Sequence, residues 1–185
     1  MRILGISGSL RAASHNTALL RAAARLAPEG VELELYEGLD SLPPYNEDRD
    51  SEWPPEQVRR LREQIAAADA VLFATPEYNG TMPGHLKQVV DWASRPRGGE
   101  AALWSKPVAV IGASVTDYGA LWAQDHLRKS LGIAGARVLD VELPVGKAAE
   151  LFDEHGELTD QQTRERLAEI VRAVLAQHDH LREAA

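Results

Sequence analysis

The chain has 185 residues, enough for one domain with a substantial core, and no cysteine, which removes disulfides, thiolate metal sites and cysteine nucleophiles together. A formal charge of −8 and a pI near 5.3 disfavour duplex nucleic acid and anionic membranes as partners. No apolar run approaches the ~20 residues that span a bilayer, and the N-terminal run is too short for a signal-peptide core. A soluble, cytoplasmic, single-domain protein over residues 1–185 is expected.

The first apolar run, Ile3–Ile6, breaks into a Gly/Ser loop with one arginine, GSLRAASHN, and then into the Ala/Leu-rich helical pattern His15–Leu26. Val31–Tyr36 forms the second run. The stretch Gly38–Trp53, rich in Pro, Asp and Glu, has no period and reads as a surface excursion. Pro54–Ala67 puts Val58, Leu61 and Ile65 on one helical stripe, ahead of the third run, Ala70–Ala74. Pro83–Ala93 aligns Leu86, Val89, Val90 and Ala93, which leaves Trp92 off the stripe, as for a subunit contact or an exposed position. The fourth run, Pro107–Gly112, precedes the helical pattern Ala120–Leu131, and Arg137–Leu143 gives a fifth. After the irregular stretch Val145–Leu158, a helix from Thr159 to His180 opens on a Thr159…Gln162 capping box, and the tail beyond His178 is expected to fray.

The third and fourth runs lack polar alternation, as strands covered on both faces do. Strict β–α alternation implies an α/β fold with right-handed crossovers. Five strands suit a flavodoxin-like three-layer sandwich, a parallel sheet of order 2-1-3-4-5 with helices on both faces. Ligands of such sheets bind beyond the carboxyl ends of the strands, where three loops then meet: Ser7–Asn16, Thr75–Pro83 and Ala113–Gly119.

The first loop matches neither G-x-G-x-x-G nor the P-loop pattern. It offers hydroxyls, one guanidinium and the N–H groups of a helix N-terminus, which suit a monophosphate; the alternative is a plain turn with Ser14 as the helix cap. The second loop, TPEYNGTMPG, surrounds Tyr78 with turn formers. Outward backbone amides there suit a flat heterocycle, and an ordinary connection with a tight Asn79-Gly80 turn accounts for it as well.

GSLR-x-x-S-x-N paired with PEYNG-x-x-PG-x-LK-x-x-x-DW, together with LPPYNED (Leu42–Asp48) and WAQDHLRKSL (Trp122–Leu131), resembles the NADPH-dependent FMN reductase family, whose relatives include chromate, quinone and azo-dye reductases. The resemblance runs from Arg2 to about Leu143. It implies that Ser9, Arg11, Ser14, Asn16 and Thr17 hold the FMN phosphate, and that Pro76, Glu77, Tyr78, Asn79 and Gly80 line the isoalloxazine edge. The third loop reads GASVTDYGA where many relatives are glycine-rich, with Ser114, Asp117, Tyr118 and Gly119 near the ring. The resemblance implies that NADPH or NADH delivers hydride to flavin N5 and leaves before a small acceptor (quinone, flavin, chromate or azo compound) enters, with no side chain assigned a catalytic role. A homodimer or tetramer is implied too. The alternative is an FMN electron carrier or regulatory module with no pyridine nucleotide reaction of its own.

Other motifs carry less. Gly5-Ile6-Ser7-Gly8-Ser9 misses the nucleophile elbow at its last position, and His178 and His180 diverge on a helix, so neither acyl hydrolysis nor a metal site is expected. The acidic run Glu47–Glu52 reads as a solvated loop.

Overall fold

Each face of the sheet is built from alternate residues of the same strands. The computed structural model describes residues 1–97 and 99–183, with β1 (Arg2–Ser7), β2 (Glu32–Leu35), β3 (Ala70–Thr75), β4 (Pro107–Ala113), β5 (Arg137–Val138) and β6 (Pro144–Val145). Its helices are α1 (His15–Leu26), α2 (Glu56–Ala67), α3 (Gly84–Ala93), α4 (Leu121–Ile133), α5 (Ala148–Leu151) and α6 (Gln161–Glu183). Ile3, Leu72, Ala109 and Ile111 pack with α1 and α6, whereas Leu4, Ile6, Val71, Phe73, Val108 and Val110 pack with α2, α3 and α4. That alternation is the two-residue period of a strand buried on both sides. β3 and β4 are buried at every position, in agreement with their unbroken apolar sequence.

The strands are parallel in the order β2-β1-β3-β4-β5, with β6 also on β4, which is the flavodoxin-like arrangement. The expected fifth strand Arg137–Leu143 is divided. Between the pairs Val108↔Val138 and Gly112↔Pro144, β4 advances four residues (108 to 112) and the edge strand six (138 to 144), a two-residue bulge. Arg128 of α4 fixes it, donating to the Val141 carbonyl at 2.7 Å and pairing with Glu142 at 2.6 Å. A bulge of this kind also makes the edge a poor template for further strands.

The stretch Gly38–Trp53 does more than cross the surface. Two 3₁₀ turns, Leu39–Ser41 and Glu47–Arg49, flank a segment that buries Leu39 and Leu42 against the core. Trp92, instead of facing a partner or solvent, is fully buried beneath this segment, donates its indole N–H to the Pro43 carbonyl at 2.8 Å and meets Tyr45 edge-on. Arg62 ties the layers together, bonding the Trp92 carbonyl and forming a largely buried 2.7 Å pair with Asp50. At the start of α6 the cap is Asp160, not Thr159: its carboxylate accepts from both the backbone N–H and the hydroxyl of Thr163, which holds it below the usual carboxylate range. The helix continues through Glu183, past the expected fraying point. Among the described residues, no helix is long and apolar enough to cross a membrane.

Candidate functional site

β1, β3 and β4 are neighbours and in register, with Ser7 opposite Ala74 and Thr75 opposite Gly112, so the three loops that leave their carboxyl ends start side by side. Gly8 shows how closely two of them approach. A Cβ there would lie 2.7 Å from Leu86 Cδ2 and 3.1 Å from Pro76 Cδ, while its own N–H reaches the Ala74 carbonyl at 2.7 Å. His85, in the first turn of α3, donates Nε2–H to the Gly8 carbonyl at 2.9 Å. The first and second loops are thus one packed unit.

Asn16 joins the first loop to the third. Buried in α1, it donates Nδ2–H to the Ala113 carbonyl at 3.0 Å and accepts the Ala113 N–H at 2.9 Å. The second and third loops meet through Glu77, whose carboxylate accepts the Ala123 N–H at 3.2 Å in the first turn of α4. The residue before that helix, Ala120, has φ 60 and no capping side chain, so the carboxylate supplies the cap from another loop and complements the helix dipole. Thr81 reaches His126 of the same helix at 3.0 Å.

Within the first loop, Ser14 caps α1 by accepting the Thr17 N–H at 3.2 Å, and Ser7 and Thr17 share a 2.8 Å hydroxyl contact. The Ser7 and Ser9 hydroxyls accept the backbone N–H groups of Ser9 and Arg11. The Arg11 guanidinium is exposed and forms no ion pair among the described residues, and α1 has no acid in its first turn. The first backbone N–H groups of α1 have no intrahelical acceptor. His15 stands at that terminus with its ring 5.3 Å from Phe152; partial burial, then the Arg11 charge, lower its pKa. This donor set fits a terminal phosphate.

In the second loop Asn79 and Gly80 both have positive φ, at 53° and 76°, and Tyr78 and Thr81 exchange backbone hydrogen bonds at 2.9 and 3.3 Å. The turn leaves Tyr78 and Asn79 exposed, with Pro76, Glu77 and Gly80 half-buried. The third loop is held from beneath: at Gly119 (φ 56) a Cβ would lie 2.3 Å from the Pro144 carbonyl carbon, and Asp117 pairs with Lys147 at 3.3 Å. Ser114 is turned into its own loop, its hydroxyl 2.9 Å from that of Thr116. Tyr118 is exposed and lies 5.0 Å from Trp122.

Twelve of the fourteen sequence-predicted site residues therefore lie on three loops that touch one another, and the other two, Asn16 and Thr17, lie in the first turn of α1, which continues the first loop. Gly8, His85 and Gln124 escaped the sequence reading. Gln124 is fully buried, donates Nε2–H to the Gly119 carbonyl at 2.9 Å and leaves its Oε1 without a partner among the described residues. Only Gly8 had a local signal, a small residue at the sharp exit of a strand. By contrast, a 460 Å³ cleft between α3 and α4, lined by Lys87, Arg95, Arg97, Trp104 and Ile133 among others, includes no residue of the three loops.

A family model for NADPH-dependent FMN reductases matches residues 1–150. The chain belongs to this family. It is 44% identical over 175 residues to an NAD(P)H-dependent FMN reductase of Pseudomonas aeruginosa, covering 94% of this chain and 93% of the relative. A quinone reductase of Pseudomonas putida is 43% identical over 158 residues, covering 84% and 83%. Among solved structures, the flavoenzyme NAD(P)H:(acceptor) oxidoreductase FerB of Paracoccus denitrificans superposes with a TM-score of 0.86 at 36% identity, covering 97% of each chain. The protein is thus an oxidoreductase that uses FMN with NAD(P)H as electron donor, which selects the reductase over the electron carrier.

Proposed function

We propose that this protein passes two electrons from NAD(P)H to a small acceptor, a quinone, flavin, chromate or azo compound, in a ping-pong cycle in which the pyridine nucleotide departs before the acceptor enters. The observation that carries the reading is the mutual contact of the three loops through Gly8, Asn16 and Glu77. When bound, FMN supplies the redox carrier, taking up a hydride equivalent from NAD(P)H and releasing it to the acceptor.

The side chains bind and orient. Arg11 and the hydroxyls of Ser9, Ser14 and Thr17 hold the phosphate, each hydrogen bond to the charged group contributing about 1.5–3 kcal/mol. Asn16 acts there through the backbone: its side chain is committed to Ala113, so it fixes the distance between the phosphate loop and the third loop. Pro76, Glu77, Tyr78, Asn79 and Gly80 border the ring, and the positive-φ turn aims backbone groups outward without a bulky side chain at Gly80. Ser114, Asp117, Tyr118 and Gly119 close the opposite side. No side chain need move a proton at the ring. The family also implies a homodimer or tetramer, read directly from the solution mass.

Anaerobic mixing of the purified flavoprotein with NADPH tests the reading. Rapid bleaching of the visible flavin absorbance, with colour returning on addition of quinone after NADP⁺ has been removed, supports it. Colour that returns only while NADP⁺ is retained would contradict the ping-pong order.

A further inference from the structure

Three large aromatic side chains that a soluble protein ordinarily covers stand at this rim in partial exposure: Tyr78 at 46%, Tyr118 at 59% and Trp122 at 47%. Tyr118 and Trp122 form a tilted pair, 5.0 Å between ring centroids at 37°. Both are fixed from below. Gly119 locks the backbone after Tyr118 onto Pro144–Val145, and Glu77 holds the N–H of Ala123, the residue after Trp122. Because Glu77 touches Ala123 and Thr81 touches His126, the Tyr78 turn lies along the first two turns of α4, the first of which carries Trp122.

The charges around this wall favour a neutral guest. Glu77, Asp117 and Asp125 border it, and the cations beside these carboxylates are paired, Lys147 with Asp117 and Arg128 with Asp125 and Glu142. An oxyanion meets no uncompensated cation among these residues, while a flat apolar ring meets two aromatic faces.

We infer that Trp122, stacked on Tyr118, is a specificity-determining residue that selects planar, neutral aromatic acceptors over small oxyanions. The inference rests on the proposed reduction of small acceptors and adds the acceptor class. For a quinone the balance is one hydride equivalent from NAD(P)H and one proton from solvent, giving NAD(P)⁺ and the quinol. Trp122 stacks on the acceptor and takes no part in proton or electron transfer.

Two measurements on the FMN-loaded protein test it. In steady state, Trp122→Ala is expected to raise the KM for a naphthoquinone about tenfold and leave the KM for chromate within about twofold, with Trp122→Phe restoring most of the loss. Without NADPH, the oxidised quinone is expected to quench tryptophan fluorescence saturably, and Trp122→Phe, which leaves Trp53, Trp92 and Trp104 in place, is expected to abolish that component. Equal changes for both acceptors, no change for either, or saturable quenching retained in Trp122→Phe would overturn the assignment. So would a change in solution mass in Trp122→Ala, which would give the wall to a second copy. If NADPH fails to bleach the wild-type flavin, the proposed function itself fails; bleaching that persists while the Trp122 effects are absent overturns the acceptor wall alone.

Discussion

The two ends of the sheet use the same chemical groups in opposite ways. At the amino ends of the strands, side chains bond mainly to the protein's own backbone. Asp69 accepts the Arg2 N–H at 2.8 Å, Lys106 caps the last carbonyls of α2 at Ala66 and Ala68, and His178 anchors α6 to the Asp69 carbonyl at 3.0 Å. Burial lowers the pKa of Lys106 from its ordinary value. At the carboxyl ends, structural bonds tie the loops to one another and leave Arg11, the N–H groups of His15 and Asn16 ahead of the capped Thr17, and three aromatic rings for a ligand. A functional rim differs from a structural one in which groups remain uncommitted after the backbone has been satisfied.

Substitutions at the two ends sharpen this contrast. Gly119→Val has the largest expected effect, since it combines an unfavourable positive φ with a clash against the Pro144–Val145 backbone; urea denaturation should show a loss of about 2–5 kcal/mol. Asn16→Ala removes two buried bonds to Ala113, for roughly 2–4 kcal/mol by the same measurement, and should weaken FMN binding because the two loops separate. Arg11→Ala should behave differently, weakening FMN about 10- to 100-fold by isothermal titration with the melting temperature of the apoprotein unchanged. Its counterpart at the other rim, Lys106→Met, should cost about 1–3 kcal/mol of stability and leave FMN affinity unchanged. Equal responses at both ends would break the comparison.

The smallest expected effect concerns pH. His15 has a folded pKa below its ordinary value of about 6.5, so the unfolded chain binds the proton more tightly. Its contribution to stability is therefore complete above that value and is lost as pH falls toward the folded pKa. Melting temperatures of the apoprotein and of His15→Gln, compared just above and just below pH 6.5, should show a shallower acid-side decline in the variant.

Much of this architecture was legible in the chain because burial on both faces writes itself as unbroken apolar runs, as in AVLFAT and PVAVIGA. The paired loops were legible too, since Asn79-Gly80 can form a tight positive-φ turn cheaply. What escaped depends on partners distant in sequence. The side-chain amide of Asn16 is fixed by Ala113, 97 residues away, which takes both of its ends. Trp92 looks exposed when α3 is given one covered face, and the segment around Pro43 covers another. The bulge in the edge strand depends on Arg128, a surface helix residue by its own pattern. At α6, adjacent Thr159 and Asp160 compete for the same cap, and the hydroxyl of Thr163 favours the carboxylate.

The central claim is that FMN occupies the rim made by the loops after β1, β3 and β4. Backbone amide resonances of the ¹⁵N-labelled apoprotein followed during FMN titration test it directly. The account predicts shifts concentrated at residues 8–17, 76–81 and 113–119, with Asp69, Lys106 and His178 unmoved. Shifts centred on those last three residues, or an apoprotein spectrum unaltered by saturating FMN, would contradict it.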